Sequence, residues 1–222
     1  DYTRLVVEED ENRLGQAAVS LSVPLAGGSI AAFWVPEFRA SVLPRDLEAS
    51  GLPVIKSEPR DKGSYALRYE RFGRAVDVAL VLADAPDRLP WLSLGTNGTA
   101  QALILNHPRV RMVGADLATT LKDFGIRLEM AHYSHGKAAL QDLSPRKPLF
   151  AATLGIDRSF RGQWSVIAQS IVRVSSDAAP VTARQQDLAD RNAVVHGAWR
   201  KTITGATLSL RKTFATSRGN AE

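Results

Sequence analysis

The chain of 222 residues carries 28 basic and 23 acidic side chains, a net charge of +5 and no cysteine, with 45% apolar and 23% charged residues. This composition excludes wholesale disorder, disulfides and thiolate chemistry, and the mixed charges argue against a nucleic-acid partner. The longest uncharged apolar stretch, Leu25 to Pro36, is too short for a membrane helix.

In chain order, ten segments alternate apolar and polar side chains with the period of two that predicts β-strands. They are residues 17–25, 29–36, 64–72, 75–83, 109–120, 124–133, 149–158, 163–174, 193–200 and 205–214. In the long segment from Asp84 to Pro108, an Asn97-Gly98 turn precedes a further short apolar run at Ala102 to Leu105. The only competing helical pattern is at Val181 to Asp190.

The connections between these strands alternate strictly between a few residues and a dozen or more. Most of the segments approach the ~9 to 11 residues that a tilted strand needs to cross a bilayer. Bacterial outer-membrane barrels place tight turns at one end and long loops at the other. We therefore predict an all-β, antiparallel up-and-down meander of about ten strands, forming a transmembrane β-barrel or a segment of one, with residues 1–222 as one domain.

Large rings cluster at the ends of these strands, as they do at the two lipid-water interfaces. Phe72, Phe124, Phe160, Trp164 and Trp199 are predicted at the tight-turn end, and Trp34, Tyr65, Tyr133 and Phe214 at the other. Charged residues fall on strand faces otherwise rich in Ala, Gly, Ser, Thr and Gln. In a membrane barrel these would line a pore: Arg68, Glu70, Asp77, Asp116, Arg127, Glu129, Asp157, Arg173, Arg200 and Arg211. In a soluble barrel the same pattern would instead pack the apolar face inward, and the charges could equally form stiffening salt bridges.

The fragments YALRYERFGRAVDVALVL, HPRVRMVGADLATT and GIRLEMAHY are similar to hairpins of bacterial outer-membrane β-barrel proteins of porin type. The resemblance covers Ala17 to Phe214. It implies an outer-membrane location, contact with lipid, and passage of small polar solutes, with a homo-oligomer as one form of assembly. The first strand enters a tight turn and the last residues lack the terminal aromatic common in the class, so we expect a segment of a barrel with twelve or more strands, missing at least one on each side.

A second hypothesis is enzymatic. His132 and Ser134 fall on one face at the end of a strand, and this pair resembles the His-x-Ser pair of lipid-facing outer-membrane hydrolases and deacylases. Their frequent Asn after the Ser is His135 here, which leaves the third catalytic member in doubt. A soluble, calycin-like binding barrel is the third hypothesis.

No cofactor is predicted. His107, His132, His135 and His196 lack the spacing of a metal site, because His132 and His135 straddle a strand end. Gly114 to Asp116 reads as strand and not as a phosphate-binding loop.

Overall fold

The structure is a computed structural model that describes residues 16–41, 53–135, 148–160, 164–177, 186–197 and 200–213. Its strands and its helix follow in chain order: β1 Val19–Leu25, β2 Gly28–Val35, β3 Val54–Lys56, β4 Ser64–Arg71, β5 Val76–Pro86, β6 Trp91–Asn97, β7 Ala100–Asn106, β8 Arg109–Leu121, β9 Phe124–His135, β10 Pro148–Phe160, β11 Trp164–Ser175, α1 Gln186–Val195 and β12 Thr202–Lys212.

Nine of these strands form one sheet in the order β1-β2-β4-β5-β8-β9-β10-β11-β12, and every neighbouring pair is antiparallel. The predicted all-β, antiparallel up-and-down meander is thus confirmed. Short connections join the strands at one end of the sheet, the turn end. Residues 36–63, 87–108, 136–147 and 176–201 join them at the other, the loop end. The strict alternation of short and long connections holds.

Two tight turns rest on unusual backbone angles. Gly27 takes φ +80° between β1 and β2, a value that glycine adopts without steric penalty. Lys122 takes φ 55° between β8 and β9, where a side chain is disfavoured. Two-residue connections of this kind fix the register of each hairpin.

The predicted strand at 193–200 is wrong. Residues 193–195 complete α1, and Gly197, at φ 59°, ends the helix together with the hydrogen bond from its amide to the Val194 carbonyl (3.1 Å). Side-chain contacts four residues apart support the helix: Gln186 donates to Asp190 (2.8 Å) and Arg191 pairs with Asp187 (3.0 Å).

Because residues 193–200 do not form a strand, the last strand runs in the direction opposite to the predicted one. β12 begins at the loop end, where Thr202 pairs with Val174, and finishes at the turn end, where Lys212 pairs with Trp164. The prediction assigned it the opposite direction.

The sheet is staggered along its width. Arg71, the last residue of β4, is the register partner of Val78 in β5, which in turn is the partner of Leu117 in β8. β8 continues four residues beyond Leu117, to Leu121. Since the turns lie at one end of the sheet, this offset means that the strands lean, which closing a sheet into a barrel requires.

The buried core lies outside the nine-stranded sheet. Apart from Ala79 and three prolines, the buried apolar side chains of the described residues are Trp91, Leu92, Ala102, Leu103 and Leu105. They belong to a second sheet of order β3-β7-β6, in which β3 is parallel to β7 and β7 antiparallel to β6. This small sheet and α1, which contacts β6, are called the loop platform below.

Neither α1, with its ten residues, nor any other described segment forms a helix able to cross a bilayer.

Candidate functional site

One face of the nine-stranded sheet is apolar, and the described residues leave it uncovered. Register and alternation place Leu67, Leu82 and Val113 in one row of this face, and Leu80 in the next. Their exposed fractions are 44%, 51%, 54% and 49%. Large apolar side chains at mid-height of a central strand are normally packed in a water-soluble protein, so this face lacks the cover that such a protein would provide.

Charged and aromatic residues border the apolar face at both the turn end and the loop end of the sheet. At the turn end, the guanidinium of Arg158 lies over the rings of Phe124 (4.6 Å) and Phe160 (4.8 Å), and Lys212 lies over Trp164 (5.0 Å). These are amphipathic groups of the kind found at lipid-water interfaces.

At the loop end of the same face, Arg109 donates to Asp84 (2.6 Å) and Asp61 (2.9 Å), and Arg111 also pairs with Asp84 (3.1 Å). Tyr65 lies beneath Arg109, with its ring centroid 5.8 Å from the guanidinium. This network ties the loop before β4 to the ends of β5 and β8.

The apolar band between these two borders has a definite height. On β9 it runs from Phe124 to Ser134, ten residue steps, which at ~3.3 Å per residue and a tilt of ~40° gives about 25 Å. That equals the apolar band of outer-membrane barrels.

Of the aromatic residues predicted to form two bands at the strand ends, five lie on the apolar face. Phe124, Phe160 and Trp164 lie on the apolar face at the turn end, and Trp34 and Tyr65 lie on it at the loop end. Phe72 follows β4 at the turn end and is 68% exposed. Tyr133 lies at the loop end but on the opposite face, paired with Met112. Trp199 and Phe214 lie outside the described residues.

The other face, here called the polar face, brings together nine of the ten residues predicted to line a pore. They are Arg68, Glu70, Asp77, Asp116, Arg127, Glu129, Asp157, Arg173 and Arg211. Arg200 is not on a strand, because β12 begins only at Thr202. The face is less uniformly small and polar than expected, since Phe33, Met112, Ile167 and Ile171 also lie on it.

The charges of the polar face are mostly not paired with each other. Within the described strands, the ion pair among these nine residues joins Arg68 to Glu70, two positions along the same strand. Asp116 and Glu129 stand directly opposite on neighbouring strands, an arrangement of like charges that weakens a sheet. The alternative, in which these charges form salt bridges between strands, is therefore not the arrangement in the described strands.

A glycine shapes one part of this face. A Cβ on Gly125 would lie 2.6 Å from a carboxylate oxygen of Asp157 on the neighbouring strand. Any larger residue at position 125 would require that carboxylate to shift away from β9.

The loop platform rests on the polar face at the loop end. The Trp91 ring stacks on His196 (4.2 Å, 26°) and meets His135 of β9 edge-on (5.7 Å, 72°), while its indole nitrogen donates to Asp87 (3.0 Å). His135 lies on the polar face, so the ring cluster joins the platform to the wall.

Asn192 fastens α1 to β6. It is fully buried, its side-chain oxygen accepts from the Leu92 amide (2.8 Å), and its side-chain amide donates to the Leu92 carbonyl (2.9 Å). Leu92 is the register partner of Leu105 in β7, and Asn192 thus takes the place of a further strand on the other edge of β6. One turn later, His196 Nε2 donates to the Pro90 carbonyl (3.2 Å), and burial lowers the pKa of His196 below 6.5, against the opposing influence of Asp87.

Between platform and wall a cavity of about 560 Å³ remains, here called the vestibule. Arg173 and Tyr133 line it from the wall, and Arg88 and His196 line it from the loops, together with Phe38. Sequence reasoning missed this arrangement, because it depends on contacts such as Leu92 with Asn192 across a separation of 100 residues.

His132 and Ser134 do share the exposed apolar face, as predicted. Val113 and Phe150 are the register partners of His132, and Arg111 is that of Ser134. Among the described residues no hydrogen bond joins the pair, and no third residue orients the imidazole. The described chain also holds no cluster of three or more potential metal ligands.

No family model matches the sequence, and no curated protein matches it. Among solved structures, the chain is similar to the copper transporter OprC, with 11% identity and a TM-score of 0.43. The similarity covers 87% of this chain and 30% of that one, so the chain spans less than a third of that protein's length. Nothing about function follows from a likeness at this level.

Proposed function

We propose that the chain forms part of the wall of a bacterial outer-membrane β-barrel that acts as a porin-like channel for small polar solutes. The observation that carries the proposal is the uncovered apolar face at Leu67, Leu80 and Leu82, bordered at both ends by rings and charges about 25 Å apart. Lipid is the environment in which such a face is stable. The charged face then encloses the solute path.

The charges of the polar face favour a role in the passage of solutes over a role in bracing the barrel wall. If its charges served only to brace the wall, they would pair across strands, and the described ones mostly do not. Charges that lack protein partners remain available to water and to passing ions or solutes. The loop platform narrows the loop-end mouth and leaves the vestibule as the entry.

Planar-bilayer recording of the full-length protein tests this function. The wild type is expected to conduct, and Glu129→Gln is expected to shift the reversal potential toward anions, because it removes a negative charge from the wall. Leu128→Ala, the matched control on the opposite face of the same strand, is expected to leave the reversal potential unchanged. A membrane-inserted protein that never conducts would refute the proposal.

The hydrolase hypothesis has geometric support only in the shared face of His132 and Ser134. Conductance that persists in Ser134→Ala supports the channel, and loss of a lipase or deacylase activity in that variant would favour the enzyme. A soluble binding barrel would need the apolar face turned to a dry interior. Heat-modifiable gel mobility and detergent-dependent extraction would exclude it.

A further inference from the structure

The charged side chains that line the vestibule are more often basic than acidic. They are three arginines and two carboxylates: Arg39, Arg88, Arg173, Glu37 and Asp87. His196 also lines the cavity, but burial lowers its pKa below 6.5, so its ring adds no charge at neutral pH. The balance of charge in the cavity therefore favours an anionic ligand.

The two carboxylates of the vestibule already have donors. Glu37 pairs with Arg39 (3.3 Å). Asp87 accepts from the backbone amide two residues further along the chain and from the Trp91 indole, both at 3.0 Å. Among the described residues, these contacts leave the other two arginines of the cavity without an ion pair.

Arg173 supplies the positive charge on the wall side of the vestibule. Its side chain is exposed, and among the described residues its guanidinium has neither an ion pair nor a hydrogen bond. Its register partner on β10 is Ala151, whose partner on β9 is Ala131, and these small side chains leave room beside the guanidinium. A guanidinium with free N–H donors can hold a carboxylate through two parallel hydrogen bonds.

Apolar and aromatic side chains line the vestibule beside these charges. Phe38 is half-buried, and its ring meets His107 edge-on (4.7 Å, 62°). Tyr133 lines the cavity together with Met112, its register partner on β8. Such surfaces suit the apolar body of a ligand, and the volume of about 560 Å³ is that of a small-molecule site.

We propose that the vestibule binds small aromatic acids, with Arg173 holding the carboxylate and the rings of Phe38 and Tyr133 packing against the aromatic body. This narrows the small polar solutes of the proposed function to one chemical class. The role of the site in uptake rests on that proposed function, because only a channel passes a bound solute onward. The binding itself depends on the cavity alone.

Equilibrium dialysis of the full-length protein in detergent against labelled benzoate measures this binding. Benzoate is expected to bind more tightly than two unlabelled competitors. Benzyl alcohol has the ring without the charge, and acetate has the charge without the ring. If either competitor displaces the label as well as unlabelled benzoate does, the proposal is overturned.

Variants of the wall assign the binding to one guanidinium. Arg173→Gln is expected to weaken benzoate binding by at least about 10-fold, because a hydrogen-bonded charge is lost. Arg173→Lys keeps the charge without the two parallel hydrogen bonds and is expected to fall between Arg173→Gln and the wild type.

Arg68→Gln is the matched control. Arg68 lies in the same register row of the polar face as Arg173 but does not line the vestibule, so benzoate affinity is expected to stay unchanged. Equal losses in Arg173→Gln and Arg68→Gln would show a general effect of wall charge and overturn the proposal, as would unchanged binding in Arg173→Gln. Heat-modifiable gel mobility confirms that each variant is folded, and the competition series in the wild type needs no variant.

Planar-bilayer recording separates this proposal from the proposed function. A membrane-inserted protein that binds benzoate through Arg173 but never conducts refutes the channel and leaves the binding site standing. A protein that conducts but binds benzoate no better than benzyl alcohol refutes only the binding site.

Discussion

Asn192→Ala is predicted to release the loop platform from the wall. The substitution leaves the amide and the carbonyl of Leu92 buried without their partners at 2.8 and 2.9 Å. Each of the two unsatisfied buried groups costs about 1 to 3 kcal/mol, so the platform is expected to lose roughly 2 to 6 kcal/mol of local stability. At about 1.4 kcal/mol for each factor of ten, opening becomes about 30- to 20,000-fold more frequent.

Hydrogen exchange at the Leu103 amide measures this opening. That amide donates to the Pro53 carbonyl (2.9 Å), away from the substituted side chain, and so reports on the platform as a unit. Gln186→Ala is the matched control, because it removes only an exposed contact on the same helix, worth about 0.2 to 0.5 kcal/mol. Unchanged exchange at Leu103 in Asn192→Ala would refute the role of Asn192 as the fastening between α1 and β6.

Three further predictions concern depth, protonation and backbone strain. Leu80→Arg, at mid-height of the apolar face, is expected to lower folding stability in lipid by ~2 to 4 kcal/mol. Leu121→Arg, at the turn-end border of that face, is expected to lower it by ~0 to 1 kcal/mol. Equal losses of stability in urea titrations would contradict the assignment of Leu80 to the middle of the bilayer and of Leu121 to its border. Because the unfolded chain binds a proton at His196 more readily than the folded one, platform stability should be full above pH 6.5 and fall as the pH drops below it. Trp91 fluorescence should follow this loss of stability, and His196→Phe should abolish the pH dependence. Lys122→Gly is expected to raise stability by about 1 kcal/mol because it relieves a positive φ, and an unchanged or lower denaturation midpoint would count against strain at that turn.

The hairpins of the sheet were predictable because their information is local. The strict alternation from Phe124 to Met130 and the tight connection at Lys122 specify both the strands and the register between them. The same alternation placed nine of the ten predicted wall residues on one face.

The platform was predictable only in fragments. The Asn97-Gly98 turn and the apolar run at Ala102 to Leu105 were visible. β3, however, has only three residues and a partner, β7, that is distant in sequence. β6 pairs with the adjacent β7, but its other edge is held by Asn192, 100 residues away. Val194 and Val195 have strand-forming side chains, yet they complete a helix because Asn192 is buried against Leu92. The tertiary contact thus outweighed the local preference for a strand. The wrongly predicted strand in turn led to the wrong predicted direction for β12.

A nitroxide scan along β9 in liposomes tests the central claim most directly. Collisions with oxygen, which concentrates in lipid, and with a polar nickel chelate, which stays in water, are measured for labels at positions 125 to 131. The account predicts that oxygen accessibility peaks at Ile126, Leu128 and Met130 and that chelate accessibility peaks at Arg127 and Glu129, with a period of two. The opposite phase, or low oxygen accessibility at all three apolar positions, would contradict it.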